Sequence, residues 1–142
     1  MCLKLVVRVP AAHRPDLEAA ILHVLPTDLR VELAHAPRWP WARDHDAEAV
    51  ISEQGGCACS MLTDEADWNA EAWAMRPEVL APLARTLSTL AERGPEGMTV
   101  EAIWVGEKPD REQKVTVRKL AALARASRLG THTRYVLCRQ GV

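Results

Sequence analysis

The sequence contains no phenylalanine, only one tyrosine, and no long run of apolar residues. A membrane-spanning helix needs roughly 18 or more uninterrupted apolar residues, and no segment approaches that length. The opening stretch, MCLKLVVRVP, is too short for the apolar core of a signal peptide and has no small-residue cleavage site. We therefore expect a cytoplasmic protein without a membrane partner.

An excess of charge of either sign is also missing. The 18 lysines and arginines nearly balance the 19 aspartates and glutamates, which leaves a net charge of −1. No domain-wide positive field is expected, so the composition argues against nucleic-acid binding. The chain also lacks a phosphate-binding loop, a nucleophile elbow and a motif of paired catalytic carboxylates. These absences favour a protein that is not an enzyme.

The periodicity of apolar residues predicts a mixture of strands and helices within a single domain, residues 1–142. Apolar and polar residues alternate over 3–9, which is typical of a strand with one solvent-facing side. Pro15 and Pro77 each stand where the first residue of an amphipathic helix is expected. A third helix is predicted in DEADWNAEAWAM, and a fourth from a capping box at Asp110 and Gln113. Further strands are predicted near 29–33, 47–52, 57–62, 98–106 and 131–137.

This order of elements predicts an α+β fold, a two-layer sandwich with a mixed sheet of four to five strands and helices mainly on one face. The runs AVIS and AIWV are apolar at consecutive positions, as in strands covered on both faces. An α/β arrangement with helices on both faces is therefore the alternative. Residues 35–47, with two prolines and two tryptophans, are predicted to form a long irregular loop.

The passage SEQGGCACSML holds two of the four cysteines, which we expect to be reduced in a cytoplasmic protein. If CACSML is extended, Cys57, Cys59 and Met61 share one face, and these soft ligands suit Cu(I) or zinc. One residue between the cysteines is fewer than a zinc knuckle uses, however. Burial of the cysteines as small apolar residues is the simpler explanation, so we favour no metal cofactor over a soft metal ion.

The same passage allows a catalytic interpretation. Backbone N–H groups around Gly55 and Gly56 could form a nest that lowers the pKa of Cys57, the candidate nucleophile. Such a thiol needs a base, for which His45 and His132 are the candidates. No spacing in the sequence connects either histidine to the cysteine.

The tryptophans suggest a recognition surface instead. Trp39 and Trp41 lie in the predicted loop beside Arg38 and Arg43, residue types that dominate protein interfaces. Trp68 and Trp73 are five residues apart on the predicted helix, so they do not share a face. The leading hypothesis is a small binding module, compatible with a homodimer, that engages a protein partner or small ligand. The alternative is a thiol-dependent protein.

Overall fold

A computed structural model describes residues 3–34, 46–55, 57–64, 70–104 and 107–139. These residues form an α+β fold with a six-stranded mixed sheet, as the sequence predicts, although with more strands than the expected four to five. The strands are β1 (Leu3–Pro10), β2 (Arg30–Leu33), β3 (Asp46–Ser52), β4 (Thr99–Trp104), β5 (Arg111–Val115) and β6 (Thr133–Leu137). The helices are α1 (Arg14–Ile21), α2 (Pro77–Arg93) and α3 (Val117–Arg125), with single 3-10 turns at Ala11–His13 and Cys59–Met61.

The strand order is β2-β3-β1-β4-β6-β5. All neighbouring strands are antiparallel except β5 and β6, which are parallel because α3 connects them as a crossover. The long strand β1 lies near the middle of the sheet, where it pairs with β3 on one side and β4 on the other. The two edges of the sheet are the short strands β2 and β5.

The hydrophobic core lies between one face of the sheet and the three helices. Alternate residues of β1 enter this core, beginning at Leu3, because side chains on a strand alternate between its two faces. Helix α2 packs against both α1 and α3, so the helices form one layer. None of the three described helices lies on the other face of the sheet, and the prediction of helices mainly on one face is confirmed. No described helix is long and apolar enough to cross a membrane.

One predicted helix is wrong over the residues that the structure describes, and the start of another is wrong. Residues 70–75, the described second half of the helix predicted in DEADWNAEAWAM, are not helical, and Ala72 bridges to Gly130 while Met75 bridges to Leu62. Trp73 and Met75 are both buried, and a spacing of two is the period of an extended chain. The capping box at Asp110 also fails, because residues 111–115 form the edge strand β5. Helix α3 begins only at Val117, after Thr116, whose hydroxyl oxygen accepts a hydrogen bond from Lys119 N–H at 3.1 Å.

Candidate binding surface on the open face of the sheet

The face of the sheet opposite the described helices, called the open face below, carries charged side chains on the four neighbouring strands β3, β1, β4 and β6. The register places Arg8 of β1 opposite Glu48 of β3, and Val6 of β1 opposite Glu101 of β4. Glu101 in turn pairs with Arg134 of β6. Because alternate residues of each strand share a face, these side chains converge on one region of the open face.

Glu101 is the centre of this charged cluster, and its side chain is completely enclosed. One carboxylate oxygen accepts a hydrogen bond from Arg8 Nη1 at 2.8 Å, and the other accepts one from Arg134 Nε at 2.7 Å. A buried carboxylate is costly unless it is paired and hydrogen-bonded. The two arginines supply both conditions, and the carboxylate in turn holds the two guanidinium groups in place.

The cluster continues from Arg8 to a second carboxylate, that of Glu48. Arg8 Nε donates a hydrogen bond to Glu48 Oε1 at 2.8 Å, and Lys4 Nζ donates to Oε2 at 3.2 Å. Burial by itself raises the pKa of the Glu48 carboxyl, but the hydrogen bonds and positive charges of Arg8 and Lys4 outweigh it and hold this pKa below its ordinary value. Glu48 is therefore ionised at neutral pH and helps to fix Arg8.

A cavity of about 220 Å³ lies beside the cluster. Its lining includes Arg8, Glu101 and Arg134 together with Thr99 and Asp46. Arg134 keeps 40% of its side-chain surface exposed. Glu101 accepts its hydrogen bond from Arg134 Nε, so this carboxylate does not occupy the terminal guanidinium nitrogens. The site can therefore offer fixed hydrogen-bond donors, with the Asp46 carboxylate as an acceptor nearby.

The predicted row of three sulfur atoms does not form. Residues Cys59–Met61 form a 3-10 turn rather than a strand, so alternate side chains in CACSML do not share a face. Met61 is enclosed in the core, whereas Cys57 is exposed and Cys59 is half-buried. Among the described residues, no group of three or more histidine, cysteine, aspartate or glutamate side chains is placed to hold a metal ion.

The Cys59 thiol has a specific partner in the sheet. Its sulfur accepts a hydrogen bond from the backbone N–H of Leu3 at 3.0 Å, and Ala58 N–H donates to Leu3 C=O at 2.9 Å. The turn is thereby attached to the first residue of β1. This explains the half-buried position of Cys59 without metal chemistry.

The turn after β3 explains the glycine at position 55 without an anion-binding nest. Its φ of +99° lies in the left-handed region that favours glycine, and its N–H already donates to Ser52 Oγ at 2.8 Å. A Cβ at this position would approach Glu32 Oε1 to 2.8 Å. Gly55 therefore serves the turn after β3. Gly56 lies outside the described residues.

The candidate base His132 lies in the turn before β6, with φ of +54°. Its N–H donates to Ala102 C=O at 3.1 Å, and its ring centroid is 6.3 Å from that of Trp73. His45 lies outside the described residues. Catalysis by Cys57 with either histidine stays a prediction.

Trp73 belongs to the core and not to a recognition surface. Only 1% of its surface is exposed, and its indole N–H donates to Ala102 C=O at 3.0 Å. Its flat ring fills the space beside β4, which a partner could not reach. The other predicted recognition residues lie outside the described ranges, and their role stays a prediction: Arg38, Trp39, Trp41, Arg43 and Trp68.

Sequence reasoning missed the charged cluster. The available signal was the presence of charged residues within apolar strands, Arg8 in LKLVVRVP and Glu101 in TVEAIW. A buried acid in a central strand predicts a basic partner. Comparison with protein-family models, with curated proteins and with solved structures found no match. The fold and site therefore define the chain as an α+β sandwich with a charged cluster on the sheet face opposite the described helices.

Proposed function

We propose that this chain is a binding module rather than an enzyme, and that its open face recognises a protein partner or small ligand bearing a carboxylate or phosphate group. The enclosed Glu101, held between Arg8 and Arg134, carries this proposal. The groups around the cavity are permanent charges and hydrogen-bond donors, which suit recognition. We expect the module to act in the cytoplasm.

Preorganisation of the arginines supports recognition of an acidic group. A free arginine side chain loses conformational entropy when a ligand immobilises it, whereas Arg8 and Arg134 are already held by carboxylates. The planar guanidinium matches carboxylate and phosphate oxygens in a two-pronged geometry. Arg134 is the more exposed of the two and is therefore the residue that would contact the ligand.

The charge balance limits what the site attracts. Arg8 and Arg134 are offset by Glu101 and Asp46 around the cavity, so little long-range attraction for anions is expected. Affinity would come from short hydrogen bonds instead, and Asp46 would accept hydrogen bonds from donor groups of the same ligand. A peptide segment, which combines acidic groups with N–H donors, fits this pattern.

Calorimetric titration with three probes tests the proposal: inorganic phosphate, citrate and a short peptide rich in glutamate. Wild-type protein should bind at least one probe, and Arg134→Ala should lose that binding. Arg134→Lys should bind more weakly, because lysine lacks the two-pronged geometry. Arg111→Ala, which removes an exposed arginine of β5, is the matched control and should bind like wild type. Equal binding by Arg134→Ala would contradict the proposal.

The tryptophan-rich segments remain a second part of the proposed recognition surface. Trp39, Trp41 and Trp68 would add apolar contact area to a partner held at the open face. Trp39→Ala and Trp41→Ala should weaken partner binding, whereas Cys57→Ser should leave it unchanged. Loss of binding in the cysteine variant alone would favour the thiol-dependent alternative.

The alternative, a thiol-dependent protein, is supported by a specific observation at Cys57 and Cys59. Cys57 is exposed, and the Cys59 sulfur accepts a hydrogen bond from the Leu3 N–H at 3.0 Å. Alkylation of Cys57 as a function of pH tests this candidate. An ordinary thiol pKa of roughly 8.5, together with no stoichiometric metal on the reduced protein, would exclude it.

A further inference from the structure

Strand β2 forms one edge of the sheet and pairs only with β3 among the described strands. Ala34 N–H donates to Glu48 C=O at 2.7 Å and extends this antiparallel ladder. Because bonded and non-bonded pairs alternate in such a ladder, the N–H and C=O groups of Val31 and Leu33 point away from β3. These outward groups are a template for another strand.

The sequence of this edge is self-complementary in antiparallel pairing. In LRVEL, residues 29–33, apolar residues occupy the first, third and fifth positions, and Arg30 and Glu32 occupy the two between. A two-fold axis at Val31 would place Arg30 of one copy opposite Glu32 of the other. It would also place Leu29 opposite Leu33. Opposite charges and apolar pairs directly across a ladder stabilise it.

The charged pair of β2 lies at the surface. Arg30 Nε and Glu32 Oε1 are 3.0 Å apart within the chain, and their side chains are 60% and 47% exposed, while Arg30 Nη1 makes a long hydrogen bond of 3.5 Å to Gln54 C=O. An exposed pair of this kind contributes little to stability. Breaking this ion pair, so that Arg30 and Glu32 each bind the other copy instead, would therefore lower the stability of the monomer little.

An exposed apolar side chain extends the surface beside this edge. Leu25, just after α1, is 58% exposed and lines a cavity of about 340 Å³ together with Val31 of β2. A large exposed apolar side chain beside the edge strand of the described sheet adds apolar area to an interaction site.

We propose that β2 pairs with β2 of a second copy of this chain around a two-fold axis at Val31, so that one continuous sheet crosses the dimer. The contact is isologous, because each copy contributes the same residues. The charge complementarity of Arg30 and Glu32 selects a second copy over an unrelated strand. This inference stands independently of the ligand proposed for the open face, since Arg8 and Arg134 lie on other strands.

Charge reversal tests the register directly by sedimentation equilibrium over a concentration series. Wild-type protein should associate reversibly to a dimer. Arg30→Glu and Glu32→Arg should each weaken this dimer by about tenfold or more, because each variant opposes like charges twice across the axis. An equimolar mixture of the two variants should recover association as a heterodimer. Lys114→Glu on β5, the other edge strand, is the matched control and should dimerise like wild type.

Val31→Pro gives a second test. The substitution removes an N–H that points away from β3, so the β2–β3 ladder should survive while the dimer is lost. Circular dichroism checks that the monomer keeps its fold. Wild-type protein that stays monomeric at all concentrations would overturn the proposal. This holds also if the monomer instead binds an extended peptide along β2. A dimer with no response to charge reversal and no heterodimer in the mixture would also overturn it.

Discussion

Arg8 and Glu101, 93 positions apart in the sequence, are joined by a hydrogen bond of 2.8 Å between Nη1 and a carboxylate oxygen that has no access to solvent. Arg134 completes the pairing of this carboxylate from the other side. The contact couples β1, β4 and β6 across the middle of the sheet. It also fixes the guanidinium groups that we propose as ligand contacts.

Replacement of the central carboxylate should destabilise the fold. Glu101→Gln removes the anionic partner of Arg134 and leaves Arg8 with Glu48 alone, and it should lower the free energy of unfolding by about 2 kcal/mol. Glu112→Gln, an exposed glutamate on β5, is the control and should change it by less than about 0.5 kcal/mol. Urea denaturation of both variants measures the difference. Equal effects would show that Glu101 is not structurally central.

Glu48 should contribute to the pH dependence of stability. Its folded-state pKa is lowered below the ordinary value of 4.5, so its contribution is present above that value and is lost as pH falls through the folded-state pKa. Glu48→Gln should therefore cost most at pH 7 and progressively less below pH 4.5. Urea unfolding of wild type and variant across acidic pH measures this. A difference that stays constant with pH would contradict the assignment.

Tyr135, the only tyrosine, should ionise above its ordinary pKa of 10.0. Burial raises the pKa of this phenol, and the Gly130 N–H that donates to its oxygen at 2.6 Å opposes the shift only in part. Burial favours the protonated form of the Tyr135 phenol. The contribution of this phenol to stability is therefore present below pH 10 and is lost as pH rises through the folded-state pKa. Ultraviolet difference spectroscopy follows one clean transition. Ionisation at or below 10.0 in the folded protein would contradict the burial.

The start of α3 can be tested at its cap. Thr116→Ala removes the acceptor for Lys119 N–H and should lower the free energy of unfolding by about 1 kcal/mol. Asp110→Ala removes the cap that the sequence pattern favours and should change it by less than about 0.5 kcal/mol. Thermal or urea unfolding of the two variants distinguishes them. A larger loss in Asp110→Ala would restore the predicted capping box.

Patterns between neighbouring residues were enough to predict strand β1 and helices α1 and α2. The alternation in β1 and the prolines at the starts of α1 and α2 were sufficient. The turn at Cys59–Met61 was missed because its conformation depends on contacts with Leu3, far away in sequence. Strand β5 was missed because it is charged and lies at an edge, where four of its five residues are exposed and no apolar alternation marks the strand.

The charged cluster could not be predicted from local patterns. Glu101 meets Arg8 and Arg134 only because β4 lies between β1 and β6, and the strand order is set by packing of the whole sheet. A slip of one residue in any of these registers would turn the side chain to the other face. The sequence shows an acid inside an apolar strand, and only the fold identifies its partners.

Nuclear magnetic resonance of protein labelled at arginine Nε tests the central claim most directly, because Arg134 Nε and Arg8 Nε each bind a carboxylate. Titration with phosphate, citrate and the glutamate-rich peptide should shift the Nε–H signals of Arg134 and Arg8, with Arg134 shifting most. The Arg111 signal should stay in place as the internal reference. Shifts that are no larger for Arg134 than for Arg111, or none at all, would contradict a binding site on the open face.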